Sequence, residues 1–247
     1  MNRAKKLFLL ILFLLTPLAF GADTIPTVNL SLSSPDTPQQ LVTSLNLLIV
    51  LTILVLAPSL IFVMTSFLRL LIVFSFLRQA LGTQQMPPSQ ILVSLAMVLT
   101  FFIMEPVATE SYEKAVKPYL ASQISYQVAF ERGTAPFKGF MIRNTREKDL
   151  ALFFRIRHLE NPKNIEEVPL TVAVPAFMIS ELKTAFEIGF LLFLPFLVVD
   201  MVVSSVLMSM GMMMLPPAMI SLPFKLLIFV LVDGWNLLVE KLVESFH

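Results

Sequence analysis

Residues Ser205–Ile220 read SVLMSMGMMMLPPAMI. Five methionines, Met208, Met210, Met212, Met213 and Met214, surround Gly211 just ahead of Pro216-Pro217. Glycine followed by a proline pair prevents a continuous helix, so the chain must turn here. Yet no residue from Met201 to Phe224 is charged. Non-helical backbone at membrane depth persists only where protein buries it or where it lines a cavity. The stretch therefore reads as a protein-enclosed break between two long apolar helices.

On its N-terminal side a third long helix is expected to open at Pro175. It carries Glu181, Lys183 and Glu187, then the apolar run Ile188–Val199, then Asp200 and Met201–Met210. On the other side Ile220–Val232 forms a fourth helix holding Lys225, followed by Asp233-Gly234-Trp235 and a short polar tail, Glu240–His247. A charge inside an apolar helix is costly and is normally paired or faces internal water. The structural ion-pair candidates are Glu181, Lys183, Glu187, Asp200, Lys225 and Asp233. Lys225 is the only cation of the fourth helix, so its partner should be Glu181, Glu187 or Asp200. Glu181 and Lys183 stand two apart and do not share a helical face.

Composition agrees with this reading. Of 247 residues, 56% are hydrophobic and only 14% charged, against roughly a quarter charged in soluble domains. The fold class expected is all-α and membrane-associated, with helical hairpins built from long, kinked helices. A net charge of +1 gives no reason to expect nucleic acid. The lack of cysteine excludes disulfides, thiolate metal sites and cysteine nucleophiles. His158 and His247 have no partner at metal-ligand spacing. No serine–base or metal arrangement stands in the apolar segments, so neither an enzyme nor a metal or cofactor site is expected.

The rest of the chain divides by composition. Arg3, Lys5 and Lys6 precede the nine-residue run Leu7–Leu15, and Ala19-Phe20-Gly21 offers small residues for a peptidase, so 1–22 reads as a cleaved signal peptide. Residues 23–40 are polar and Pro/Ser-rich, a periplasmic loop. The first hairpin occupies 41–104. Leu41–Leu68 is uncharged, its apolar character continues to Leu77, and Pro58 should bend it. GTQQMPPSQ (Gly82–Gln90) is the turn, and Ile91–Met104 is a short returning helix of about 21 Å. Residues 105–170 hold 10 of the 18 Lys/Arg and 9 of the 17 Asp/Glu, a water-facing helical region. Within it Asn144 with Glu147 resembles a helix start, Leu150, Phe153 and Phe154 form one stripe, and Asn161-Pro162 should end the helix. The second hairpin, with the methionine turn, is 171–247. Arg69 and Arg78 mark the inner side, which puts 105–170 in the periplasm.

The methionines admit three readings. Met fills irregular gaps in cores. Several copies around an axis would form a soft apolar plug that closes a pore by excluding water. Thioethers also bind Cu(I), and Met208, Met210 and Met212 alternate. For the whole chain, the two functional readings from different classes are a pore-forming subunit and a small-solute or ion transporter with Asp200, Lys225 and Glu187 as its relay.

Three blocks carry a resemblance. Met64–Val107 (MTSFLRLLIVFSFLRQALGTQQMPPSQILVSLAMVLTFFIMEPV), Phe140–Phe154 (FMIRNTREKDLALFF) and Val174–Leu238, about half of the chain, resemble the FliP/SctR family of type III secretion export-gate subunits. The GTQQMPPSQ turn and the signal peptide point to the flagellar branch. The resemblance implies a pentameric ring or cone that binds FliQ and FliR, with FlhB and FlhA alongside. It would pass exported flagellar proteins (rod, hook and filament) across the bacterial inner membrane. The family's cone rises into the periplasm within the flagellar basal body. The family is not enzymatic, and its methionine-rich loop, thought to be the resting gasket, maps onto Met208, Met210 and Met212–Met214.

Overall fold

The computed structural model describes residues 38–83, 86–160, 162, 164–212 and 215–246. The signal-peptide reading, most of the 23–40 loop, Met213 and Met214 lie outside the described residues. Every regular element among the described residues is helical. The helices are α1 (Pro38–Val63), α2 (Phe67–Ala80), α3 (Ser89–Ser111), α4 (Lys117–Leu120), α5 (Tyr126–Arg143), α6 (Glu147–Ile156), α7 (Leu170–Ser209), α8 (Pro217–Leu231) and α9 (Gly234–Glu244).

Two units are distinguished, Met1–Leu51 and Thr52–His247. The described part of the first is the N-terminal portion of α1, where Val42, Leu45 and Ile49 are exposed. The second unit holds the core. Within it α7 packs most extensively on α2, and also against α5, α6 and α8; α3 lies against α2 and α5. The α2–α7 contact is close because Gly189 has no side chain: a Cβ there would stand 2.5 Å from the Phe76 ring.

Several boundaries differ from the sequence expectation, each for a local reason. The long first helix breaks at Met64–Ser66, beyond Pro58. There the Thr65 hydroxyl donates to the Phe62 carbonyl (3.0 Å), a side-chain bond that competes with the helical ladder. The second helix is not confined to Ile91–Met104. It runs through Glu105-Pro106 to Ser111 and continues by a π-turn, Tyr112–Val116, into α4. Proline removes one N–H per site, and the π-turn shifts the ladder just before Pro118, where the next N–H is missing. Pro169, not Pro175, precedes α7, and both Pro175 and Pro195 lie inside it.

Asn144 ends α5 rather than starting α6, because its side-chain amide donates to the Phe140 carbonyl (3.0 Å). Helix α6 stops at Ile156, before Asn161-Pro162, with His158 left-handed (φ 53°) and Leu159 N–H bonded to the Phe154 carbonyl. The segment after Trp235 is not merely a polar tail. It forms α9, which buries Leu238 and Leu242.

Helix α7 has 40 residues. At 1.5 Å per residue it is about 60 Å long, twice the roughly 30 Å of a hydrocarbon core. Its N-terminal half buries Val172, Ala173, Ala176, Phe177, Ser180, Glu181, Ala185 and Gly189 at helical spacing. Most of its C-terminal half, including Phe190, Leu194, Met201 and Val202, is exposed. Helices α3–α4 and α7 are each long and apolar enough to cross a membrane, and α8 with α9 would do so together, bent by 64°.

Gly189→Ala should destabilise the chain by about 1–3 kcal/mol, since the clash falls on Phe76 atoms close to the backbone. Thermal denaturation of the detergent-solubilised protein checks this; an unchanged midpoint would mean that α2 and α7 are further apart.

Candidate functional site

Among the described residues, the charges buried between the apolar helices form two separate clusters. In the first, Arg69 of α2 meets Glu181 of α7, both almost fully buried. Arg69 Nε donates to Glu181 Oε2 (2.8 Å) and Nη2 donates to Oε1. Nη1 donates to the Ser245 carbonyl (2.9 Å) and hydroxyl (2.8 Å) beyond α9. The guanidinium lies over the Phe246 ring, 3.8 Å from its centroid, and that ring stacks on Phe140 of α5. A planar guanidinium suits this combination of bidentate pairing and stacking, which lysine could not reproduce. One residue thus ties α2, α5, α7 and the C-terminal segment.

The second cluster joins α7, α8 and the end of α2. Lys225 Nζ donates to Asp200 Oδ2 (2.6 Å) and to the Ala80 carbonyl (3.0 Å). The Ser221 hydroxyl donates to the other carboxylate oxygen (2.6 Å). The cation therefore also sits at the C-terminal end of α2, where unpaired carbonyls and the helix dipole favour it.

Of the three candidates for Lys225, the structure brings Asp200 to it. Glu187 instead pairs with Arg146 (2.5 Å) at the more exposed α6–α7 contact, where the Arg146 N–H donates to the Ser180 hydroxyl, which donates to Asp149 (2.7 Å). Lys183 lies beside Lys148 and Arg146. Asp233 is left-handed (φ 52°) at the α8–α9 elbow and accepts from the Asn236 amide (3.2 Å). Asp200, Lys225 and Glu187 are thus divided between two pairs, not gathered into one relay.

Arg69 is the buried pairing residue that sequence reasoning missed. It is legible as a cation inside an otherwise apolar run, but hydropathy alone makes it only a marker of the inner side. Helix α9 is legible in the spacing of Leu238 and Leu242.

The methionine turn follows from capping. The Gly211 N–H bonds to the Met208 carbonyl and the Met212 N–H to Leu207, with Gly211 left-handed (φ 75°). This pairing closes the end of α7, and glycine adopts the required φ without strain. Pro216 and Pro217 then open α8. Met208, Met210 and Met212 are 57%, 67% and 39% exposed, so they project away from the core of their own chain. Among the described residues no cluster of His, Asp or Glu could hold a metal ion.

Long apolar helices, buried ion pairs and an uncharged non-helical turn define a membrane-associated, all-α protein. Residues 50–242 match the model of the FliP family. Relatives include three proteins named flagellar biosynthetic protein FliP. That of Bacillus subtilis (strain 168) is 52% identical over 217 residues, 88% of this chain and 98% of the relative. That of Pectobacterium carotovorum subsp. carotovorum is 53% identical over 213 residues, 86% and 83%. That of Aquifex aeolicus (strain VF5) is 47% identical over 230 residues, 92% and 95%. This chain belongs to the FliP family. The match gives the transporter alternative no support.

Arg69→Ala should cost about 3–5 kcal/mol, because it leaves the Glu181 carboxylate buried and unpaired. The double change Arg69→Met/Glu181→Leu should recover most of that loss in thermal denaturation. Equal losses in both would mean that the pair's charges do not govern this core.

Proposed function

We propose that this chain is a core, pore-forming subunit of the flagellar type III export gate. It passes unfolded rod, hook and filament proteins across the bacterial inner membrane. The observation that carries the reading is the exposed methionine turn at the tip of the α7–α8 hairpin, whose apolar flanks this chain leaves uncovered. An uncharged, non-helical turn at membrane depth needs cover from protein or a cavity. Copies arranged about an axis provide both, with Met208, Met210 and Met212–Met214 closing the resting channel as a deformable plug.

Family membership supports the finer statements. The subunit works as a homo-oligomer, a pentamer by family resemblance, with FliQ, FliR, FlhB and FlhA as neighbours. It resides in the flagellar basal body, with much of the assembly on the periplasmic side. It catalyses no reaction and takes no cofactor. Glu181, Glu187, Asp200 and Lys225 serve as structural contacts that hold the helices together, rather than as a proton path.

Replacing Met212, Met213 and Met214 together by Ala should raise the leak of small ions through the inner membrane while flagellar export continues. Export and dye or ion entry would be scored in the same cells. Normal export with no added leak would reduce the methionines to packing residues, and a copper-dependent loss of function would favour thioether ligation.

A further inference from the structure

The α8–α9 elbow encloses a second feature. Gly234 lets the elbow close, because a Cβ there would collide with the Phe229 ring. Helix α9 then leaves the elbow at 64° to α8. Between α7 and this elbow lies a cavity of about 460 Å³, within the range of small-ligand sites. Ile188, Leu192 and Phe196 of α7 form one wall, and Phe229, Leu238 and Leu242 form the other. The lining is apolar except at one end, where Lys241 and Ser245 stand one helical turn apart. Leu191, Val232 and Leu237 also line it and are exposed, so the cavity opens onto the uncovered apolar surface of the membrane-associated helices.

The geometry points to a phospholipid-binding site, with one acyl chain between α7 and the elbow and the phosphate on Lys241. The lining suits an amphiphile: a long apolar body with Lys241 at one end, whose exposed ammonium can turn from Glu244 to a headgroup. Ser245 is already engaged by Arg69, so Lys241 is the group that meets the headgroup. Its present partner, Glu244 (2.8 Å), is an exposed neighbour one turn on, and such pairs hold weakly against a competing phosphate. Trp235 stands beside the lining: its ring lies 5.5 Å from the Phe229 ring, edge to face, and is partly exposed. Tryptophan favours the boundary between acyl chains and headgroups. The inference rests on membrane association and not on the export reading.

Trp235 is the only tryptophan of the chain, so its fluorescence reports this site alone. The full-length protein in detergent would be titrated with phosphatidylglycerol brominated in mid-chain. Quenching should saturate at one lipid per chain. Leu191→Phe/Leu237→Phe, which fills the opening from exposed positions, should weaken the apparent affinity by about tenfold. Lys241→Gln, a surface change that leaves folding intact, should weaken it several-fold and more so at low salt. Quenching that rises without saturation and is the same in all three proteins would overturn the site. So would protection of Trp235 from the lipid in the assembled oligomer, because a second copy would then cover the cavity.

Discussion

A buried arginine–glutamate pair is the interaction on which the rest of this structure depends. Arg69 and Glu181 are almost fully removed from solvent, so neither can be left without the other. Satisfying the remaining guanidinium donors brings the C-terminal Ser245 against α2, and stacking brings Phe246 against Phe140. The order of packing follows from that demand. The two halves of the sequence, which hydropathy alone would treat as independent hairpins, are joined by Arg69, by the Phe76–Gly189 contact and by the Lys225 bond to the Ala80 carbonyl. Apolar helices in an apolar solvent gain little from burial against one another, so a few polar contacts fix which faces meet. Lys225 repeats the arrangement further along α7, with Asp200 and a helix end as its partners.

Beyond these clusters α7 changes character. Its first half is held on several sides, and most of its second half is left uncovered. Only 11% of its most apolar stretch is buried within this chain. A helix of about 60 Å cannot be covered by one hydrocarbon core, so lipid alone does not account for the whole surface. Other chains, lipids, or both must complete the fold. The methionine turn lies at the end of that uncovered half, and an assembly that covers α7 also determines what the turn faces.

Much of this was legible in the sequence. The turn at Gly211–Pro217 was set by residues with strong backbone rules, and the expected interruption is there. Among the costly charges of the third and fourth helices, Glu181, Glu187, Asp200 and Lys225 stand in ion pairs, whereas Lys183 lies beside Lys148 and Arg146 and Asp233 accepts only from the Asn236 amide. What failed was helix length and the partner of Glu181. Pro106 did not end its helix, since an interior proline removes a single N–H and the ladder runs on to Ser111. Asn144 could cap either of two helices, and local sequence does not decide between them. Arg69 looked like a boundary marker because its partner stands 112 positions away. Helix α9 was overlooked because its buried Leu238 and Leu242 share a short segment with the exposed charges Glu240, Lys241 and Glu244.

The central claim is that methionine turns from several copies converge on one axis. The chain has no cysteine, so single cysteines can be introduced without background. Met212→Cys would be oxidised in the native membrane and compared with Phe101→Cys, an exposed position on α3. Convergence predicts disulfide-linked chains from Met212→Cys and none from Phe101→Cys. Single, uncrosslinked Met212→Cys chains whose introduced thiol reacts freely with a water-soluble maleimide would contradict it.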